Sequence, residues 1–146
     1  MKRNSMIFGM SLMAFLLLSA PASAAGKTES VQSSSFSWDR VIDAIIQVES
    51  KGNPKAVSGN SVGIMQITPI AVQDCNLILE QRKSKKRYPL NDRYDVAKSK
   101  EMFLLIQSRY NPTNDIEKGI RIWNGGCNYS VRATNGYYQK VMREMK

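Results

Sequence analysis

Residues 41–58 read Val41-Ile42-Asp43-Ala44-Ile45-Ile46-Gln47-Val48-Glu49-Ser50-Lys51-Gly52-Asn53-Pro54-Lys55-Ala56-Val57-Ser58, and Gly63-Ile64-Met65-Gln66-Ile67-Thr68-Pro69 follows shortly after. Ile42, Ile45, Ile46 and Glu49 fall at i, i+3, i+4 and i+7, so a helix here puts the glutamate on the face of the isoleucines. A carboxylate on an apolar stripe loses hydration, which disfavours its charged form and raises its pKa. A glutamic acid that keeps its proton near neutral pH can protonate a leaving oxygen, the requirement for breaking a glycosidic bond. A solvated residue at a helix edge is the competing reading of the same position. Asn53-Pro54 then ends the helix, because the residue before proline avoids helical geometry.

Working outward from this stretch, Glu49, Ser50, Asn53, Pro54, Ala56, Ser58, Gly63, Ile64, Met65, Gln66, Ile67 and Pro69 stand in a fixed order. The segment resembles the signature of the soluble lytic transglycosylase (SLT) domain, Glu-Ser-x-x-Asn-Pro-x-Ala-x-Ser followed by Gly-(Leu or Ile)-Met-Gln-Ile-x-Pro. Further on, Ile122-Trp123-Asn124-Gly125-Gly126 sits where such domains carry Ala-Tyr-Asn-Ala-Gly. Thr134-x-x-Tyr137-x-x-x-Val141 is similar to their closing Glu-Thr-x-x-Tyr-Val-x-x-Val element. The matches span Val41 to Val141, while residues 81–109 agree in helical pattern alone.

The resemblance implies a mainly α (α+β lysozyme-like) fold: a small helical domain with a glycan-binding cleft. It implies Glu49 as the sole acid/base, cleaving the bond between N-acetylmuramic acid and N-acetylglucosamine with a 1,6-anhydro product. Ser58 and Gln66 would hydrogen-bond the sugar, Met65 would line the cleft wall, and Trp123 and Asn124 would contact substrate. Tyr137 would orient Glu49 through its hydroxyl. A turn-forming role for Ser58, and core packing for Met65, Ile67 and Tyr137, are the alternatives. Gly63 reads as a close approach of backbone to sugar or to neighbouring chain. Two departures stand out. The Ser58–Gly63 loop is one residue shorter than the usual family spacing, and Trp123 replaces a tyrosine, exchanging a hydroxyl for an indole that can still stack and donate.

Composition bounds the alternatives. The chain has 146 residues with 21 basic and 12 acidic side chains and no histidine. Without histidine, Ser-His-Asp and Cys-His catalysis are excluded and a zinc site is disfavoured; no metal or cofactor is expected. Lys2 and Arg3, the apolar run from Met6 to Leu18 and Ala22-Ser23-Ala24 form a signal-peptide pattern for residues 1–24, with cleavage near Ala24-Ala25. The run is short against the roughly 20 apolar residues of a membrane span, so no stable membrane anchor is expected. Residues 25–36 read as a polar, serine-rich leader and residues 37–146 as one domain. Removing Lys2 and Arg3 from the 21 leaves 19 basic against 12 acidic residues, a net +7. That charge suits an anionic partner in the cell envelope, and export argues against nucleic acid. Arg82-Lys83-Ser84-Lys85-Lys86-Arg87 reads as a solvated loop.

The expected product is thus an exported, periplasmic or secreted monomer acting on peptidoglycan glycan strands. Its small form also suits a wall-opening factor of a secretion or conjugation apparatus. A hydrolytic muramidase and a non-catalytic glycan-binding module remain open, as do Asp74, Asp92 or Asp95 as a second cleft acid. Cys75 and Cys127 read either as a disulfide, typical of exported chains, or as two free buried thiols. Four or five helices are expected: Trp38–Ser50 capped by Ser37, Pro69–Glu80 capped by Thr68, Asp92–Tyr110, Asn114–Trp123, and one from about Thr134. The second turns Ile70, Val72, Cys75, Ile78 and Leu79 inward. The third turns in Val96, Phe103, Leu104 and Ile106. The last carries Tyr137, Tyr138, Val141 and Met145. Ser61–Ile67 is expected to be weakly β-like.

Overall fold

Helix α1, Asp39–Ser50, forms where the isoleucine stripe predicts it. Val41, Ile42, Ala44, Ile45 and Ile46 are all buried. The computed structural model describes residues 35–146; the expected export signal and residues 25–34 of the leader lie outside this range. Trp38, not Ser37, is the N-cap of α1, without a side-chain cap bond. The Ser37 hydroxyl still accepts from the Asp39 N–H at 3.1 Å. Lys51 closes the helix in the left-handed conformation, φ 53°, with its N–H returning to Gln47 O. Asn53 Oδ1 accepts from the Lys55 N–H at 2.9 Å, so the Asn-Pro pair forms the turn that follows.

A two-stranded antiparallel hairpin comes next, β1 (Val57–Ser58) pairing with β2 (Ser61–Val62). Its two-residue turn starts at Gly59, φ 56°, the position where such a tight turn needs glycine. This accounts for the loop that is one residue short. Ile67 bridges back to Val62, which places the β-like expectation for Ser61–Ile67. Gly63, φ 79°, lies so close to a 3-10 helix at Leu90–Tyr94 that a Cβ would fall 1.8 Å from Arg93 O. The close approach is therefore to neighbouring chain. Arg93 reinforces it, its Nη1 donating to Asn60 O at 3.1 Å and Ile67 O at 3.3 Å.

Helix α2, Pro69–Gln81, starts as expected: the Thr68 side chain accepts from Ala71 N and proline takes the first helical position. Val72, Cys75, Ile78 and Leu79 are buried, but Ile70 is 75 % exposed. The basic loop after it is exposed, with Lys86 paired to Glu101 at 2.6 Å. Helix α3, Val96–Tyr110, begins later than expected because the Asp95 side chain caps it at Lys98 N. That start turns Ser99, Met102, Phe103, Ile106 and Gln107 inward and leaves Val96 and Leu104 exposed. Ser99 and Gln107 hold inward places because each has a backbone partner, Asp95 O at 2.8 Å and Gly119 O at 3.2 Å.

Helix α4, Ile116–Gly125, is capped by Asp115, while Asn114 precedes it in the left-handed conformation. Helix α5, Val131–Glu144, starts before Thr134 because Ser130 caps it at Ala133 N. Arg121 of α4 is buried. It donates to Val131 O and Thr134 Oγ1 at 3.0 Å each, pairs with Glu117 at 2.7 Å and stacks over Tyr138. Among the described residues one hydrophobic core, from Trp38 and the α1 isoleucines to Val141, joins the five helices.

Replacing Gly63 by alanine should cost about 2–3 kcal/mol, since positive φ and a blocked Cβ position act together. Urea unfolding measures it; a loss below 0.5 kcal/mol, a threshold within ordinary surface-substitution scatter, contradicts the close approach.

Candidate active site

Glu49 sits in the last turn of α1, half-buried on the isoleucine side. Tyr137, half-buried on α5, donates its hydroxyl to Glu49 Oε1 at 2.7 Å. Burial drives the Glu49 pKa above its ordinary value, and the Tyr137 hydrogen bond opposes that rise without cancelling it. Burial and the neighbouring carboxylate push the Tyr137 phenol upward too, so the tyrosine keeps its proton and remains the donor. Ser50, beside Glu49, donates to Ile64 O at 2.7 Å and ties the end of α1 to the loop leading to Gln66. The role expected of Tyr137 thus has its geometry here.

The other expected site residues divide. Gln66, Trp123 and Asn124 line a groove of about 600 Å³ between α2 and α4, together with Thr68, Asp74 and Tyr110. Gln66 has φ 50° and donates its amide to Gly63 O at 3.0 Å and Ala56 O at 3.2 Å. Among the described residues its Oε1 has no partner, which leaves a fixed acceptor on the groove. Trp123 is half-buried, its ring edge-on to Phe103 with centroids 5.2 Å apart. Its indole therefore takes part in the core and in the groove wall at once.

Met65 is not a cleft residue. It is completely buried, because the tight chain reversal from Gly63 to Gln66 turns its side chain into the core beside Ile64 and Ile67. Ser58 is exposed on the hairpin and, like Glu49 and Tyr137, is not among the residues lining the groove. The Cys75–Cys127 bond is also absent, both thiols being free. Cys75 faces the α3 backbone, donating to Met102 O at 3.6 Å, and burial pushes its thiol up to about 12. Cys127 is exposed just past α4. Of the other acids considered, Asp95 caps α3, and Asp74 lines the groove.

Two structural residues escaped sequence reasoning. Arg121 sets α5 against α4 and so presents Tyr137; only its place on the inner face of an otherwise apolar helix marks it. Tyr110 donates to Asp74 Oδ1 at 2.8 Å, a contact across 36 residues that no local pattern announces. Among the described residues no group of acids and cysteines could hold a metal ion, and no helix is long and apolar enough to cross a membrane.

A family model described as the transglycosylase SLT domain matches residues 29–140. The chain belongs to that family, and the five helices and one short hairpin among the described residues form the small lysozyme-like domain. At the level of the family, this associates it with lytic transglycosylase-type activity on peptidoglycan. Neither the curated proteins nor the solved structures compared with it gave a match.

Because the folded pKa of Glu49 lies above its unfolded value, its charged form is penalised by folding. The stability linked to this group is complete below the ordinary glutamate range and falls as pH rises through the raised pKa. Glu49→Gln, whose amide oxygen still accepts from Tyr137, should therefore melt higher than wild type at pH 8, with the gain vanishing near pH 4. Calorimetry across that range checks it; a variant less stable at pH 8 contradicts the buried-acid assignment.

Proposed function

We propose that the protein is a peptidoglycan lytic transglycosylase that cleaves the MurNAc-β-1,4-GlcNAc bond and leaves a 1,6-anhydro-muramyl end. The observation that carries this reading is the half-buried Glu49, raised in pKa and oriented by Tyr137, in a chain of the SLT family. Glu49 gives its proton to the bridging oxygen as the C1–O bond breaks, so the leaving sugar departs as an alcohol. The muramyl N-acetyl group stabilises the electron-poor C1, a substrate-assisted exception to the two-carboxylate arrangement. Glu49, now a carboxylate, takes the proton of the muramyl 6-hydroxyl as that oxygen bonds to C1. The glutamic acid is regenerated, and no water is consumed.

The shifting charge explains the tyrosine. As Glu49 loses its proton, a fixed donor stabilises the carboxylate, and the same donor is retained when the proton returns. Gln66 and Asn124 offer polar contacts, and Trp123 an aromatic surface, to a glycan strand lying in the groove between α2 and α4. The signal-peptide pattern of residues 1–24 supports action outside the cytoplasm, where peptidoglycan lies.

Digesting purified peptidoglycan with the protein and weighing the muropeptides tests the reaction. Anhydro products one water lighter than reducing-end sugars are expected; reducing ends alone mean hydrolysis, and no release at all refutes the enzyme reading. Glu49→Gln should lower turnover by about 10²–10⁴-fold, the usual share of general acid–base catalysis.

Tyr137→Phe deletes the contact that holds the Glu49 pKa down. The alkaline limb of its pH–rate profile, where the acid loses its proton, should move to higher pH with lower turnover. A limb that stays in place or moves down contradicts the role given to the hydroxyl.

A further inference from the structure

The groove between α2 and α4 contains a carboxylate that the proposed cleavage does not use. Asp74 lies on the groove side of α2, half-buried, with Ile70, Leu77 and Ile106 among the apolar residues around it. Tyr110 of α3 donates to its Oδ1 at 2.8 Å. The bond to Asp74, then burial, pushes the Tyr110 phenol up to about 12, so it stays a donor at any working pH. One oxygen of Asp74 is thereby fixed in place, and the other is left to the groove.

No lysine or arginine among the described residues pairs with Asp74. In a chain of formal net charge +9 this is a notable vacancy, since cations greatly outnumber anions. A strand filling the groove would strip water from Asp74 against apolar walls. A buried anion is tolerated only when hydrogen bonds and an opposite charge replace the lost hydration. Sugar hydroxyls supply the first alone. A primary ammonium supplies both.

We propose that Asp74, held by Tyr110, is a specificity-determining site that receives a primary ammonium group carried by the peptidoglycan strand. The amine belongs either to an amino sugar lacking its acetyl group or to a free amine of the peptide stem; the recognition chemistry is the same. The inference rests on the proposed function only in taking peptidoglycan as the occupant of the groove.

The test reads binding, not turnover. Glu49→Gln protein, which leaves its target uncut, is sedimented with purified cell wall, with the same wall after acetylation of its amines, and with glycan strands stripped of peptide. Acetylation removes positive charge from the wall, so unspecific attraction to this basic protein should strengthen. A site for ammonium has the opposite sign. We expect affinity to fall about tenfold on acetylation, in line with loss of one charged hydrogen bond. Adding Asp74→Asn should abolish the difference between the two walls, and adding Tyr110→Phe should reduce it. Asn at 74 keeps an acceptor for Tyr110, so its effect isolates the charge.

Equal or tighter binding to acetylated wall overturns the proposal. So does an Asp74→Asn protein that loses affinity equally for both walls, which would mark a general structural role. If the acetylation effect persists on stripped strands, the amine is on the sugar; if it disappears there, the amine is on the stem. Both outcomes uphold an ammonium site. A protein that shows this preference yet yields no anhydro-muropeptides contradicts the proposed reaction alone. One that cleaves but has no preference contradicts the ammonium site alone.

Discussion

Tyr137 and Glu49 are separated by 88 residues, yet the tyrosine hydroxyl lies 2.7 Å from Oε1 of the glutamate. To close that distance, α1 must be fixed by its isoleucines and α5 must be set against α4. Arg121 does the second, bonding the first turn of α5 at Val131 O and Thr134 Oγ1. Ser50 and Gly63 do the equivalent on the other side, clamping the hairpin and its following loop to α1 and to Leu90–Tyr94. The geometry of the Glu49–Tyr137 pair thus depends on contacts made by residues outside the pair.

Two opposing effects meet on Glu49. Burial favours the protonated acid, and the tyrosine bond favours the carboxylate. Burial is the larger, so the group keeps its proton to higher pH than a solvated glutamate does. In the proposed reaction the smaller effect matters for the second half, when the same group accepts a proton. A residue that works alone in both directions needs both influences, and neither alone is sufficient.

Much of this was legible in the sequence where a local pattern has only one structural solution. The isoleucine stripe put Glu49 on the buried face, Thr68-Pro69 began a helix, and Gly63 marked a close approach. Where several solutions exist, the pattern misled. Met65 reads equally well as cleft wall or core, and only the chain reversal at Gly63–Gln66 sends it inward. Val96 and Leu104 look like core residues, but the Asp95 cap sets the phase of α3 so that Ser99 and Gln107 take the inner face. Two cysteines carry no geometry at all, and here one faces the α3 backbone while the other is exposed. Arg121 and the Tyr110–Asp74 pair are long-range contacts whose partners cannot be named before the fold is known.

Folding keeps Glu49 protonated above the ordinary glutamate range while Tyr137 restrains the shift. Labelling glutamate side-chain carboxyls with carbon-13 and following the Glu49 signal against pH measures this in the native protein. The midpoint should lie clearly above 4.5, the ordinary value, and higher still in Tyr137→Phe. A midpoint at or below 4.5, or one lowered by removing the hydroxyl, would contradict it.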